Sequence, residues 1–209
     1  PLLYDYLESH KQLITFNVRC RNGEYWHTFT REHNHTLYNC PKIIIPMTAR
    51  DAIATVVENE GFYMDNSNVW FIKVDNVNFE TLIAIECIIN STLFTVMAKA
   101  GANPQSGDYY KLNKQFLNPV PFPNEKLVVN EDGCVEFLNN CYNSIVELQR
   151  EYINATPVNK AVIKRTLEQK WSELDIYCYR LYDLTEEEIA KINGIGRTVS
   201  RIDLLNGAN

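Results

Sequence analysis

The sequence lacks the short strings that mark the commonest catalytic sites. It has no Gly-Lys-Ser/Thr phosphate loop and no Gly-x-Ser-x-Gly nucleophile elbow. It also lacks the Gly-rich loop that an amino-methylating enzyme needs for its methyl donor, and the Asn/Asp-Pro-Pro-aromatic loop that holds a flipped base. We therefore assign no catalytic residue to these 209 residues.

Long hydrophobic runs are missing as well. The longest apolar stretches, residues 82–85 and 87–89, are far too short to cross a bilayer. The first residues show no cationic start followed by an apolar run, as a signal peptide would. The six cysteines have no paired spacing, which favours buried reduced thiols over a disulfide framework. We therefore expect a cytoplasmic protein without a membrane partner.

Metal sites are only weakly suggested. The residue types that tetrahedral zinc prefers occur at Cys20, His33, His35 and Cys40. Their spacing has neither Cys-x-x-Cys nor His-x(3–5)-His, so we expect a polar loop without metal. A nuclease needs clustered acids beside a lysine to hold its metal ion. Glu58, Glu60 and Asp65 are close in sequence but lack such a partner, and we interpret them as surface residues.

The net charge of −6 counts mildly against a nucleic-acid partner. The charges are, however, unevenly distributed. Residues 1–50 carry six lysines and arginines against four acids, and residues 92–118 carry three lysines against Asp108 alone. A protein that docks on phosphates through one face needs local positive potential, whatever its total charge.

Hydrophobic spacing predicts an α+β fold. Residues 1–10 are interpreted as a short helix. Strands are predicted at residues 13–18, 24–29, 42–45, 61–64 and 69–74, from short β-branched runs bounded by turn residues. The first two would form a hairpin around Arg21-Asn22-Gly23. Residues 79–99 are predicted to be helical with a break near Asn90-Ser91, and residues 101–110 are predicted to be a loop.

Two amphipathic helices are predicted after the proline-rich residues 118–123. Apolar residues step by three and four from Leu138 to Tyr152, and again from Ile163 to Leu181. The short Thr156-Pro157 link favours an antiparallel hairpin, and residues 185–188 form a capping box that opens another helix. The predicted architecture is a mixed β-sheet lobe (1–123), a helical support region with a C-terminal antiparallel helical hairpin (124–192), and a tail (193–209).

Basic and aromatic side chains are interleaved in two clusters. The first, on the predicted hairpin, comprises Arg19, Arg21, Tyr25, Trp26, His27 and Arg31. The second comprises Asn103, Gln105, Ser106, Tyr109, Tyr110, Lys111, Asn113 and Lys114. Arginine can bind guanine edges bidentately, and asparagine or glutamine can bind adenine edges. Both clusters are therefore candidate base-contacting surfaces, although an ordinary polar loop is the alternative for the second.

The glycines near the C-terminus give a weaker signal. Residues 192–197, followed by Val199 and Ile202, resemble the latter half of a helix–hairpin–helix, in which backbone N–H groups approach a phosphate. A glycine helix stop followed by a tail explains the same residues, and we favour that interpretation.

The order in which several short segments follow each other along the chain is informative. They are Pro1 to Leu7, Arg19 to Trp26, Pro41 to Ile44, Ile89-Asn90-Ser91, Gly107 to Tyr109, Pro119-Val-Pro121, Asp175, and Leu181-Tyr182 with Leu184 to Glu188. In this order they resemble the TaqI-like C-terminal specificity domain of N6-adenine DNA methyltransferases, which include type II restriction-modification enzymes. The resemblance covers roughly residues 1–192.

This resemblance implies a non-catalytic domain that binds double-stranded DNA and selects the recognition sequence, with residues 1–123 as the target-recognition lobe. A separate catalytic domain of the parent chain would bind S-adenosylmethionine and flip the adenine, and a nuclease domain precedes it in fused enzymes. The expected phosphate anchors are Lys42, Lys99 and Lys111, and the expected base-edge contacts include Arg21, Gln105 and Tyr109.

Two other functions compete with this interpretation. A metal-dependent nuclease domain would show metal-stimulated cleavage by the chain itself. A protein-interaction module working through its helices would show salt-insensitive partner binding and no DNA affinity. The uneven charge distribution favours DNA recognition over the interaction module.

Overall fold

The structure is a computed structural model that describes residues 2–15, 40–58 and 68–206. By packing, the chain divides into two compact units, residues 1–39 and residues 40–209. One hydrophobic core in the second unit extends from Ile43 to Ile202. This core includes residues on both sides of positions 123 and 192, where the sequence predicts domain boundaries. The two boundaries stay predictions.

In the first unit the structure describes two short helices, α1 (Leu2–Ser9) and α2 (Lys11–Thr15). The helix predicted over residues 1–10 is confirmed. The strand predicted from residue 13 is wrong over residues 13–15, because the N–H of Leu13 donates to the carbonyl of His10 (3.0 Å) and the chain continues as a helix. Local β propensity yields readily to such context. The predicted hairpin at residues 19–29 lies outside the described residues.

Five strands are described in the second unit. They are β1 (Lys42–Pro46), β2 (Thr48–Ala49), β3 (Thr55–Val57), β4 (Val69–Ile72) and β5 (Tyr110–Lys111). β1 is the centre of an antiparallel sheet in the order β3-β1-β4, and β2 pairs antiparallel with β5. The strand predicted at residues 42–45 is confirmed, and the strand predicted at residues 69–74 is confirmed over residues 69–72. β2, β3 and β5 were not predicted, and the strand predicted at residues 61–64 lies outside the described residues. The described strand pairs are all antiparallel, and the α+β class is confirmed.

Two helices, α3 (Phe79–Ile89) and α4 (Thr92–Gly101), flank the predicted break. The amide of Asn90 accepts from the N–H of Ala54 and donates to its carbonyl, both at 2.9 Å, which ties the break to the segment before β3. The Ser91 hydroxyl caps α4 by accepting from the N–H of Phe94 (3.1 Å). No single described helix is long and apolar enough to cross a bilayer; α3 and α4, bent by 67°, reach that length and composition only as a pair.

The helices that follow add a large part of the core. After the short α5 (Lys114–Leu117) and α6 (Asn124–Val128), α7 (Cys134–Asn154) and α8 (Pro157–Leu181) confirm the predicted helical hairpin. The apolar stripes predicted from spacing are buried at Leu138, Cys141, Ile145, Tyr152, Leu167, Leu174, Cys178 and Leu181. α9 (Glu186–Ile195) begins with the predicted capping box at Thr185.

The chain after α9 packs onto the core through a buried ion pair. Arg201 donates two hydrogen bonds to the Asp175 carboxylate (3.0 and 2.8 Å), and its guanidinium lies 4.5 Å from the ring centroid of Trp171. The same carboxylate accepts from the N–H and the hydroxyl of Thr92 (2.7 and 2.8 Å). One cluster therefore joins α4, α8 and the C-terminal segment.

The glycines in this region have a structural role. Gly196 has a φ of 61°, a left-handed conformation that a glycine adopts without steric cost, and it ends α9. The favoured helix-stop interpretation is confirmed. The N–H groups of Thr198 and Val199, just beyond it, donate to the Asp51 carboxylate at 3.0 and 2.8 Å.

A buried carboxyl group on α3 makes the stability depend on pH. Glu86 is 7% exposed, and burial raises its pKa from 4.5 to about 7, although the N–H of Val56 donates to it (2.8 Å) and lowers the pKa in part. The folded chain thus binds this proton more tightly than the unfolded chain. The associated stability is fully present below about pH 4.5 and is lost as the pH rises through about 7.

Replacing Glu86 by glutamine is expected to raise the free energy of unfolding by about 1–2 kcal/mol near pH 8 and to change it little near pH 4. The amide still offers Val56 an acceptor but has no charge to desolvate. Urea unfolding at both pH values measures the effect, with the exposed Glu80→Gln on the same helix as the control. Equal shifts at both pH values would contradict the assignment.

Candidate functional site

The second predicted cluster folds as a hairpin, residues 103–111, hereafter the hairpin. The N–H of Gln105 donates to the carbonyl of Tyr109 (2.6 Å), and the N–H of Lys111 donates to that of Asn103 (3.2 Å). On its other side β5 pairs with β2, with Thr48 opposite Lys111. Residues 103–105, β5 and β2 therefore lie side by side as a short antiparallel ribbon.

Side chains alternate between the two faces of this ribbon, and residues directly opposite each other share a face. Ala49 and Tyr110 are opposite each other and point inward, since Ala49 is buried. The other face is exposed at every position, and we call it the outward face. It consists of Thr48, Arg50, Asn103, Gln105, Tyr109 and Lys111. It presents two cations, two amides and an aromatic ring, without a carboxylate.

The tip of the hairpin is a 3₁₀ turn at Ser106–Asp108. Gly107 has a φ of 73° and Asp108 a φ of 61°. Because glycine and aspartate tolerate this left-handed region better than other residues, the sequence favours a sharp reversal at this point. Ser106 and Asp108 are consequently exposed at the tip, beside the outward face.

Two cations hold the adjacent tyrosines of the hairpin. The guanidinium of Arg50 lies 5.1 Å from the ring centroid of Tyr109 on the outward face, and the Lys99 ammonium lies 5.4 Å from that of Tyr110 on the inward face. Tyr109 remains 37% exposed. From the sequence alone, Arg50 was only one of the positive charges of residues 1–50. Its approach to Tyr109 could not be predicted, because it depends on the long-range pairing of β2 with β5.

Apart from Lys42 and Lys99, the predicted site residues fall into three groups. Outside the described residues are Arg19, Arg21, Trp26, His27 and Arg31. Together on the hairpin are Gln105, Ser106, Tyr109, Tyr110 and Lys111. Asn113 lies just before α5, and its buried side-chain oxygen accepts no hydrogen bond from the described chain. The expectation that the first cluster shares a rim with the second stays a prediction.

Two of the expected phosphate anchors lie in the interior, and their assignment is corrected. Lys42 is fully buried, and its ammonium donates to the carbonyl of Cys40 (3.3 Å). The Lys99 side chain is 12% exposed and donates to the Asp51 carboxylate (2.6 Å) and the Thr198 hydroxyl (2.7 Å). Because both ammonium groups are withdrawn from the surface and hydrogen-bonded, their contacts are internal; of the three expected anchors, Lys111 is exposed.

Within the described ranges, no three His, Cys, Asp or Glu side chains converge as a metal site would require. Cys20, His33 and His35, which were considered for zinc, lie outside those ranges. The exposed chemistry at the hairpin is therefore that of hydrogen bonding, ring stacking and positive charge.

A comparison with protein families matches residues 11–122 to the TaqI-like C-terminal specificity domain. The matched segment is more than half of the 209 residues. It includes β1 to β5 and the whole of the hairpin, and it ends before α6. No curated protein matches the sequence.

Proposed function

The chain belongs to the family of TaqI-like C-terminal specificity domains, and from this premise we propose that its outward face contacts the base edges of double-stranded DNA. Domains of this family provide the DNA-recognition specificity of methyltransferase-type systems. The outward face offers the cations, amides and aromatic ring that contact with DNA requires.

The composition of the outward face is the observation that carries the proposal. The Gln105 side chain can donate and accept at an adenine edge at the same time, and Asn103 can do the same. Arg50 and Lys111 offer charge to phosphates, which set the register of a protein on the duplex. Within the ribbon, the hairpin itself pairs residues 103–105 with residues 109–111 as two strands, and the major groove of B-form DNA admits a two-stranded ribbon.

Local charge favours the same surface. The chain carries a net charge of −6, and like charges repel a polyanion. The outward face has Arg50 and Lys111 and no acid, and Asp108 is the one carboxylate of the hairpin. Attraction to phosphate falls off within about 8–10 Å at physiological salt, so this local balance outweighs the total charge.

The roles that we propose for the individual side chains follow from the contacts that they make. Arg50 is held over the Tyr109 ring, so it presents its charge in a fixed place. Among the described residues, the Gln105 amide donates only to the carbonyl of the neighbouring Pro104 (3.0 Å), a local contact that a base edge would replace. We assign Gln105 to base contact, Lys111 to phosphate contact, and Tyr109 to packing against the sugar or base edge.

The wider setting is also a proposal. The chain would be non-catalytic and would act in the cytoplasm beside a catalytic domain that binds S-adenosylmethionine and methylates adenine at N6. The sequence supports this division, because it has neither the methyl-donor loop nor the base-holding loop. The catalytic domain would provide the second wall of a cleft around the duplex.

Replacing Lys111 by alanine is expected to weaken binding to every duplex to a similar extent and to reduce the slope of log K against log salt by about 1. The reason is the loss of one phosphate contact and its released counterion. Fluorescence anisotropy with a random-sequence duplex over a salt series measures both quantities. The control is Lys191→Ala, which removes an exposed lysine on α9 that pairs with Glu187.

Equal salt slopes for the two alanine variants would refute the phosphate assignment of Lys111. Salt-insensitive capture of a protein by a chain without DNA affinity would favour the interaction module. Metal-stimulated cleavage of the duplex would favour the nuclease.

A further inference from the structure

The C-terminal segment, residues 196–202, lies beyond the part of the chain that matches the family. It contacts Asp51, which follows β2, and Lys99, whose ammonium lies over the Tyr110 ring of the hairpin. We propose that this segment is a brace that fixes the orientation of the hairpin through Asp51, and thereby sets its sequence selectivity. The part that concerns selectivity rests on the proposed function; the mechanical part does not.

Asp51 is the point where the brace meets the lobe. Its side chain is 1% exposed, and its carboxylate accepts from the N–H groups of Thr198 (3.0 Å) and Val199 (2.8 Å) and from the Lys99 ammonium (2.6 Å). Burial alone would raise the pKa of Asp51, but these donors and the nearby Arg197 guanidinium lower it below its usual value. The carboxylate is therefore charged at neutral pH.

The contacts continue from Asp51 to both tyrosines of the hairpin. Lys99 is held by Asp51 and by the Thr198 hydroxyl, and its ammonium lies over the inward Tyr110 ring. Arg50, the neighbour of Asp51 in the chain, lies over the outward Tyr109 ring. A shift of Asp51 would thus move the supports of both rings.

The brace itself is anchored in the core. The Arg197 guanidinium donates to the carbonyls of Asn90 (3.2 Å) and Ala52 (3.1 Å) and to the Thr95 hydroxyl (2.8 Å). Burial lowers its pKa to about 10, so it keeps its charge at neutral pH. Ile202 at the other end is 2% exposed. A support locked by packing and hydrogen bonds can hold a binding surface to within fractions of an ångström.

The test uses Asp51→Asn, with Asp183→Asn as the matched control, since Asp183 is 79% exposed and pairs with Lys126. Hydrogen exchange of the amides at Gln105 and Lys111 is expected to speed up by about tenfold or more in Asp51→Asn and to stay unchanged in the control. Selection from a duplex library with a randomised core is expected to give weaker sequence enrichment. Affinity for a random-sequence duplex is expected to stay within about twofold.

A second variant, Lys99→Met, keeps the bonds between the brace and Asp51 but removes the cation over Tyr110. It is expected to speed up hydrogen exchange in the hairpin and to weaken the sequence enrichment. The slope of log K against log salt is expected to stay unchanged. If Lys99 instead contacted phosphate, the variant would bind all sequences more weakly and the slope would fall by about 1. Lys191→Met is the control for Lys99→Met. If circular dichroism shows that Asp51→Asn is unfolded, hydrogen exchange in Lys99→Met decides whether the brace holds the hairpin.

Unchanged exchange at the hairpin in both variants would overturn the brace. Faster exchange with undiminished enrichment would overturn its role in selectivity. If the original chain enriches no sequence at all, the proposed function fails and the selectivity part fails with it, while hydrogen exchange still decides whether the brace holds the hairpin.

Discussion

Replacing Asp175 by alanine is expected to lower the free energy of unfolding by about 3–5 kcal/mol, the range typical of removing one partner from a buried ion pair. Asp175 and Arg201 are 14% and 11% exposed, so the guanidinium left behind would be a nearly buried, uncompensated charge. The variant would also leave the N–H of Thr92, at the start of α4, without its acceptor. Urea unfolding followed by far-ultraviolet circular dichroism measures the loss.

The matched control is Glu173→Ala, on the same helix. Glu173 pairs with Lys170, but both side chains are more than a third exposed, and pairs of this kind contribute at most about 1 kcal/mol. Combining Asp175→Ala with Arg201→Met should cost less than the sum of the single changes, because the double variant buries no unpaired charge. Similar losses for Asp175→Ala and Glu173→Ala would show that the buried cluster does not hold the C-terminal segment in place.

Replacing Gln105 by alanine is expected to reduce discrimination at one base pair of the recognised sequence by about 1–3 kcal/mol, or roughly 5- to 150-fold. The alanine cannot make the paired hydrogen bonds that the amide offers to a base edge. Binding to random-sequence duplex should change far less, since phosphate contacts provide most of the affinity there. Selection from a randomised duplex library, scored position by position, measures the effect.

Gln169→Ala is the control for this prediction, because Gln169 is an exposed glutamine on α8 whose amide donates to Glu173, far along the chain from the hairpin. It should leave every position of the selected sequence unchanged. An identical preference for Gln105→Ala and the original chain would remove Gln105 from the base-contacting set. A uniform loss of affinity would reassign it to the phosphate backbone.

Sequence spacing predicted the helical part of the fold well. The helices α7 and α8 are each more than five turns long, so the period of their apolar residues is unambiguous. Capping residues mark the starts of α8 and α9. The break at Asn90-Ser91 was visible too, because serine is a strong N-cap. The three-residue β3 was missed, since so short a run carries no measurable period.

The candidate site was predicted only in part, and the errors have a common physical cause. A lysine in a β-branched strand looks the same in sequence whether its ammonium reaches solvent or is buried as in Lys42. Lys99 pairs with Asp51 across 48 residues of sequence, and Arg50 stacks on Tyr109 because β2 and β5 meet in space. Contacts between residues so distant in sequence leave no local pattern. The turn around Gly107 did leave one, and it predicted a loop at residues 101–110, although the pairing of its two sides was not predicted.

The buried contact between α3 and α7, where the Cys87 thiol donates to the carbonyl of Leu138 (3.4 Å), has a consequence for transplanting this domain into a related chain. A transplant limited to the family-matched residues 11–122 would strip α3 of its partner helix and expose apolar side chains to water. The hairpin and the core that supports it both belong to the second compact unit, residues 40–209. Recombination that respected this unit would transfer the hairpin together with its supporting core.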